Sequence, residues 1–231
     1  MKYKKIGLGT YAFSLDARKT VDDLVTHVDE AKDLLYWVES ESMVLIKGPV
    51  KSGKTRLALE VIENFKGEGR VIYIDLDTYN KEVDVGHLLI GNQSLFRRFF
   101  NKMPEDMILI VDNAQDLGTD FYRRLQYFFD QGYLKSVIFI EKAGSTLDLP
   151  ESIKSRIGHK IIDLMPLNKS QCFSIAEARF NEFLNKDQLE KVWLRSNGLI
   201  SFFENCQKIA DKFLDENRKR LDDKFIEKVL K

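Results

Sequence analysis

Ile46-Lys47-Gly48-Pro49-Val50-Lys51-Ser52-Gly53-Lys54-Thr55 reads G-x-x-x-x-G-K-T from Gly48 onward. The stretches on either side make the pattern more than a turn. Met43-Val44-Leu45-Ile46 is an apolar run of strand length, and Arg56-Leu57-Ala58-Leu59-Glu60-Val61-Ile62 has apolar residues three and four apart, the spacing of a helix. A strand, a glycine-bearing loop and a helix in that order form a phosphate-binding loop. Its backbone N–H groups curl around an anion, and the helix N-terminus adds partial positive charge. Gly48, Pro49, Val50, Lys51, Ser52, Gly53, Lys54 and Thr55 are therefore the expected nucleotide-binding residues. Lys54 is placed to reach the β- and γ-phosphates of a nucleoside triphosphate, and the Thr55 hydroxyl to ligate Mg²⁺.

The rest of the chain bounds what can surround that loop. It has 231 residues, of which 44% are hydrophobic, enough for an α/β domain with a small appendage or for two small domains. Lys plus Arg and Asp plus Glu both number 36, so no overall basic excess points to nucleic acid. No stretch approaches the ~18 consecutive apolar residues of a membrane span. The basic start Met1-Lys2-Tyr3-Lys4-Lys5 runs into mixed polar sequence, not an apolar signal segment. Cys172 and Cys206 are too few for a disulfide framework and lack metal-ligand spacing, which fits a reduced, cytoplasmic setting. His27, His87 and His159 stand alone, without metal spacing or a paired nucleophile.

Taken in order, the chain opens with the short apolar knot Tyr11-Ala12-Phe13-Ser14-Leu15, and Thr20 is the expected N-cap of a helix running to Trp37. Val71–Asp75 reads as a second strand ending in the acidic loop Asp75-Leu76-Asp77, and residues 86–102 as an amphipathic helix carrying Phe96, Phe99 and Phe100. Met107-Ile108-Leu109-Ile110-Val111-Asp112 is continuously apolar, the mark of a strand covered on both faces. Asp112, at its carboxyl end, is the expected Mg²⁺ partner opposite Thr55. A helix over 119–131, a strand at Val137–Ile140, a short helix after Pro150 and a strand at Lys160–Leu164 complete the alternation. Strands alternating with helices give right-handed crossovers and a parallel sheet of five strands between helices. Ligands bind at the carboxyl ends of such strands, where the phosphate loop, Asp112 and Lys142 all fall. Beyond Pro166 the strand signal stops, and Lys169–Leu184, Asp187–Arg195, Leu199–Leu214 and Asp222–Leu230 all read as helices. The division expected is a core at 1–165 that includes the N-terminal helix, followed by an all-helical part at 166–231.

This order of parts resembles the AAA+ ATPases, in the branch near replication-initiator ATPases and the DNA-transposition and secretion ATPases. The resemblance spans about residues 20–230. It rests on the phosphate loop, the Ile108–Gln115 strand ending in Asp-Asn-Ala-Gln, Ser155-Arg156-Ile157, Leu164-Met165-Pro166-Leu167 and Ser196-Asn197-Gly198. It implies that the helical part is a lid, that ATP and Mg²⁺ are the cofactors, and that Arg156 is an arginine finger for a neighbouring copy's site. Lys142, or Glu141 beside it, takes the place of the first sensor. Initiators of this type carry a winged-helix domain after the lid, and no such domain is expected before Lys231.

Two positions depart from the family's pattern. Where the family has Asp-Glu at the third strand's end, this chain has Asp112-Asn113, and an amide cannot act as a general base. Asp116, one helical turn on, is a possible substitute. The second sensor, an arginine in the family, is replaced by Ser201, which cannot make a charge-assisted bond to phosphate. Catalytic roles implied by the resemblance therefore fall to Lys54, Asp112, Asn113 and Arg156, with Asn113 weakened.

Three readings follow. The first is an AAA+ ATP-binding switch or weak ATPase controlling assembly on double-stranded DNA or on a protein partner, with self-association through Arg156. The others are a phosphate-loop small-molecule kinase and a nucleotide-gated adaptor that does not hydrolyse ATP. Arg97-Arg98, Arg123-Arg124 and Arg218-Lys219-Arg220 are the dense basic groups available for DNA.

Overall fold

A computed structural model of the chain describes residues 2–20, 25–65, 71–78, 84–91, 104–115, 117–180 and 182–230. It falls into two compact units, His27–Pro166 and a second made of Met1–Thr26 with Leu167–Lys231. The first is an α/β unit: α1 Val28–Glu39, β1 Met43–Lys47, α2 Lys54–Phe65, β2 Val71–Asp75, α3 Val85–Gly91, β3 Met107–Ala114, α4 Thr119–Asp130, β4 Leu134–Glu141, α5 Glu151–Ile157 and β5 Ile161–Asp163. The five strands form one sheet in the order β2-β3-β4-β1-β5, and every neighbouring pair is parallel.

Strand order explains the burial patterns. β3 and β4 lie inside the sheet and are buried along most of their length, as strands covered on both faces must be. β2 lies at the sheet edge, and its residues alternate. Ile72 and Ile74 are buried, while Val71, Tyr73 and Asp75 share the less buried face. β1 sits between β4 and β5, yet the chain leaves it to build β2 at the far edge. That reversal puts the carboxyl end of β1 at a topological switch point, where open α/β sheets bind ligands.

Two expected boundaries move. Of the helix placed over Thr20–Trp37, residues 21–24 lie outside the described residues, and the described helix begins at Val28, directly after His27, whose left-handed φ of 60° is not helical. Thr20 turns its hydroxyl toward the carbonyls of Asp16 and Ala17 instead of capping that helix. β3 runs two residues past Asp112, with a register shift between Val111 and Ala114 where Asn113 takes φ 53°. Of the helix expected over 86–102, the described part is α3; Phe96, Arg97, Arg98, Phe99 and Phe100 lie outside the described residues, as does Asp116.

The second unit is helical: α6 Lys169–Phe180, α7 Lys186–Leu194, α8 Gly198–Asp215 and α9 Asp223–Val229. Its ends are set by local chemistry. At α7 the Asn185 side chain accepts from the Gln188 N–H while the Gln188 side chain accepts from the Asn185 N–H, which satisfies two otherwise orphaned donors. Asp222 caps α9 by accepting from the Phe225 N–H. Phe173, Phe180, Phe202, Phe203, Phe213 and Phe225 form an aromatic core, with Phe173 and Phe202 stacked at 5.6 Å. Truncating one of the fully buried rings, as in Phe203→Ala, removes about 3–5 kcal/mol.

The N-terminal segment belongs to this helical unit and not to the sheet, contrary to the division expected at 1–165. Leu8, together with Ala12 and Phe13 of the apolar knot, is buried in the helical core. Tyr3 donates its hydroxyl to Asp211 at 2.8 Å, and Arg179 donates to the Ser14 carbonyl at 2.7 Å. Among the described residues no helix is long and apolar enough to cross a membrane.

Candidate functional site

The loop Gly48–Gly53 leaves β1 and delivers its last residues into the N-terminus of α2. Gly48 has φ 144°, and a Cβ there would lie 2.5 Å from the Leu164 carbonyl oxygen. The loop backbone therefore presses against the chain leaving β5 as closely as glycine permits. Gly53 has φ 100° and faces the His27 ring, whose Cδ2 would be 3.3 Å from a Cβ. Within the loop, Val50 and Lys51 form a turn closed by the Ser52 N–H donating to the Pro49 carbonyl at 3.3 Å, Lys51 has φ 61°, and Ser52 is fully buried with its Oγ unpartnered.

Lys54 is buried and donates to the Gly48 carbonyl at 2.7 Å and the Pro49 carbonyl at 2.9 Å. Burial pulls its pKa down, and the carboxylates of Asp112 and Glu141 act in the opposite direction. An ammonium held inside a loop by neutral carbonyls has charge left to give to an anion.

Thr55 Oγ1 donates to Asp112 Oδ2 at 2.8 Å. This contact joins the first turn of α2 to the end of β3 and brings together the two residues expected to share a metal. The same Oδ2 accepts from the Tyr73 hydroxyl at 2.6 Å, and Asp112 Oδ1 accepts from the Asn113 N–H at 2.8 Å. Asp112 is 3% exposed, and these donors give its buried oxygens the hydrogen-bond partners that burial demands. Asn113 Nδ2 donates to Asp75 Oδ1 at 2.8 Å, so the ends of β2 and β3 are linked by side chains as well as backbone.

The hydroxyl–carboxylate pair, the buried lysine, the unpartnered Ser52 Oγ and the glycine-restricted backbone at Gly48 and Gly53 fit a Mg²⁺–nucleotide group. Thr55 would ligate the metal, Asp112 would hold it indirectly, and Lys54 with the loop amides would hold the phosphates. When bound, Mg²⁺ supplies charge neutralisation at the phosphate oxygens. No group of three or more His, Cys, Asp and Glu suited to a metal occurs among the described residues.

Other expected residues sit away from this centre or are otherwise engaged. Lys142, just past β4, pairs with Asp77 at 2.8 Å, and Glu141 accepts from the Leu147 N–H. Arg156 in α5 donates to both oxygens of Asp130 at 2.9 Å and to the Ser152 carbonyl at 3.0 Å. A finger role requires it to give up the Asp130 pair. Ser201 lies in the first turn of α8 in the helical unit. Arg123 pairs with Asp120 and Arg124 with Asp84. Lys219 and Arg220, with Lys5, line a cavity of about 610 Å³ in the helical unit.

Sequence reasoning missed His27, Tyr73 and Asp75 as parts of the site. For the latter two a signal existed, since two parallel strands both ended in aspartate at the same sheet edge. For His27 there was none.

A phosphate loop at the switch point of a parallel sheet, backed by a strand-end aspartate, defines a P-loop nucleotide-binding fold of the α/β class. The sequence profile of the family described as "AAA domain" matches residues 40–173, more than half of the chain, and the chain belongs to that family. Its fold is shared with replication-initiator ATPases. The Orc1 protein of Aeropyrum pernix, solved in complex with DNA, superposes with TM-score 0.69 at 16% identity, over 95% of this chain and 68% of that one. Cdc6p of Pyrobaculum aerophilum gives 0.64 at 17% identity, over 96% and 70%. Domain III of the Thermotoga maritima replication initiation protein DnaA gives 0.60 at 20% identity, over 96% and 97%. No curated protein matches the chain at a significant level.

Proposed function

We propose that the protein is a Mg²⁺–ATP-dependent switch that controls assembly on double-stranded DNA or on a DNA-bound protein partner, with slow or partner-stimulated hydrolysis. The observation that carries the nucleotide part is the 2.8 Å contact between Thr55 and Asp112 beneath a loop that encloses Lys54. Support for the DNA part is the likeness of fold to an Orc1 protein solved with DNA. Self-association through Arg156 belongs to the same reading, its trigger being nucleotide in the neighbouring copy's loop.

The kinase reading needs several lid arginines turned toward a transferring phosphate. In the helical unit Arg179 instead donates to the Ser14 carbonyl, and Arg218 pairs with Glu216 and lies 4.2 Å over the Phe225 ring. A non-hydrolysing adaptor is the second reading, favoured by the amide at position 113.

Calorimetric titration of ATP and ADP with Mg²⁺ tests the switch, together with ATPase rate and oligomeric size measured with and without double-stranded DNA. Lys54→Ala is expected to weaken ATP by roughly 10- to 100-fold, the loss of one charge-assisted bond. Wild-type protein that neither binds nucleotide nor gains thermal stability from it would sink the proposal.

A further inference from the structure

The amide at position 113 leaves open which group, if any, orients a water for attack on a terminal phosphate. The side-chain network at the sheet edge answers from the neighbouring strand. Asp112 is committed, with Oδ2 accepting from Thr55 and Tyr73 and Oδ1 from the Asn113 N–H. Asp77 is ion-paired to Lys142, and Glu141 accepts from the Leu147 N–H. Asp75 is the carboxylate that Asn113 itself grips, at 2.8 Å.

The placement follows from strand order. β2 is the hydrogen-bonded neighbour of β3, with Asp75 in register with Asp112. Tyr73 and Asp75 are two residues apart on one face of β2, and each reaches across to the end of β3, Tyr73 to Asp112 and Asp75 to Asn113. Asn113 makes its bond from a left-handed φ of 53°, a conformation asparagine tolerates better than most residues. The Asp77 N–H also donates to Asp75 Oδ1, at 3.1 Å. The carboxylate is thus held from two sides at the carboxyl edge of the sheet, beside the residue that holds Thr55.

We propose that Asp75 is the carboxylate that orients the attacking water, and that Asn113 is the positioning residue that fixes its direction. This rests on the ATP-switch reading and deepens it. In the step, the water oxygen bonds to the terminal phosphorus and the bond from that phosphorus to the bridging oxygen breaks. The electron pair stays on the departing diphosphate, and the water's proton ends on the released phosphate. Asp75 accepts a hydrogen bond from the water throughout and is unchanged at the end.

The test compares full-length wild type, Asp75→Asn, Asn113→Ala and the double swap Asp75→Asn/Asn113→Asp. Each is measured for affinity to a fluorescent ATP analogue with Mg²⁺, thermal midpoint, and phosphate release with and without double-stranded DNA. Asp75→Asn is expected to bind nucleotide within threefold of wild type while turnover falls by about 100-fold or more, the usual worth of a carboxylate acting on water. Asn113→Ala is expected to lower kcat by about tenfold at unchanged KM, as a loosened positioning contact does. The double swap is expected to recover turnover above Asp75→Asn, a rescue that a purely structural aspartate would not show. Should Asp75→Asn fold poorly, the kcat loss of Asn113→Ala with binding intact decides the matter. Wild-type turnover in Asp75→Asn, or a wild type that binds ATP yet never releases phosphate, overturns the Asp75 assignment and leaves the switch standing. A wild type that does not bind ATP overturns the switch itself.

Discussion

Nε2 of His27 lies 2.9 Å from the carbonyl oxygen of Ser52, so the residue that opens α1 is tied to the phosphate loop 25 positions later. A carbonyl only accepts, which makes Nε2 the protonated nitrogen. Nδ1 faces Glu30 Oε1 at 3.4 Å. The ring is buried and packs against Gly53, where side-chain bulk is excluded. His27 therefore braces the loop from behind, and the loop's shape depends on a residue outside the motif.

His27→Ala removes that brace. The lost bond and packing should lower unfolding free energy by about 1–3 kcal/mol, the cost of leaving a buried partner unsatisfied. Nucleotide affinity should fall roughly fivefold as the loop relaxes, a penalty for lost pre-organisation. Urea denaturation and fluorescent-nucleotide titration check the two effects separately. An unchanged affinity would show that the loop holds its shape unaided.

Gly48→Ala should damage the loop more than any change to its exposed residues. The new Cβ would meet the Leu164 carbonyl at 2.5 Å in a backbone conformation, φ 144°, that alanine avoids. Backbone strain alone costs about 1–3 kcal/mol. The midpoint of denaturant unfolding reads the loss, and an alanine variant as stable as wild type would mean that the Leu164 strand end yields freely.

Arg156 and Asp130 make opposite predictions about self-association. If Arg156 serves a neighbouring copy's site, Arg156→Ala abolishes ATP-dependent oligomers, while Asp130→Ala frees the guanidinium and strengthens them by a few-fold. Size-exclusion chromatography with light scattering, run with and without a non-hydrolysable ATP analogue, separates these outcomes. Monomers under every condition would leave Arg156 as a helix-end residue paired within its own unit.

Stability should decline in alkaline solution, and the buried thiols and phenol set the window. Burial pushes Cys172 up from 9.0 to about 11, raises Cys206, and moves Tyr122 from 10.0 to about 12, with Asp148 adding to the last. In each case the unfolded chain ionises first. The Cys172 contribution is complete below about pH 9 and is lost as pH climbs through 11, that of Tyr122 is complete below about pH 10 and is lost toward 12, and that of Cys206 is lost at still higher pH. Urea midpoints between pH 8.5 and 10.5 should fall, and the fall should be shallower in Cys172→Ala/Cys206→Ala. An equal slope in that variant would assign the decline to other groups.

Much of the sheet was legible because its strands are unbroken apolar runs, and the phosphate loop because glycine and lysine spacing has one plain structural meaning. Lys54, Thr55 and Asp112 could be named from sequence, since each stands at the end of an element with a known direction. For Tyr73 and Asp75 the strand-end aspartates were a signal, but nothing in one chain says that β2 is the neighbour of β3, so their pairing with Asp112 and Asn113 stayed hidden. Asn113 read as a loss when seen alone, whereas beside Asp75 it is half of a pair. The described helix starts at Val28 although the hydrophobic spacing continues upstream, because the left-handed backbone at His27 leaves no compositional trace.

Residues 2–20 complete the core of helices that begin at Lys169, through contacts such as Tyr3 with Asp211, 208 positions apart. During synthesis residues 2–20 are thus made long before the helices they pack against. The sheet unit, all of whose parts lie between His27 and Pro166, can close while synthesis is still under way. The helical unit must stay open until α9 has been made. Deleting the first twenty residues should therefore leave the nucleotide-binding sheet folded and strip the helical unit of Leu8, Ala12 and Phe13, exposing apolar surface at its centre.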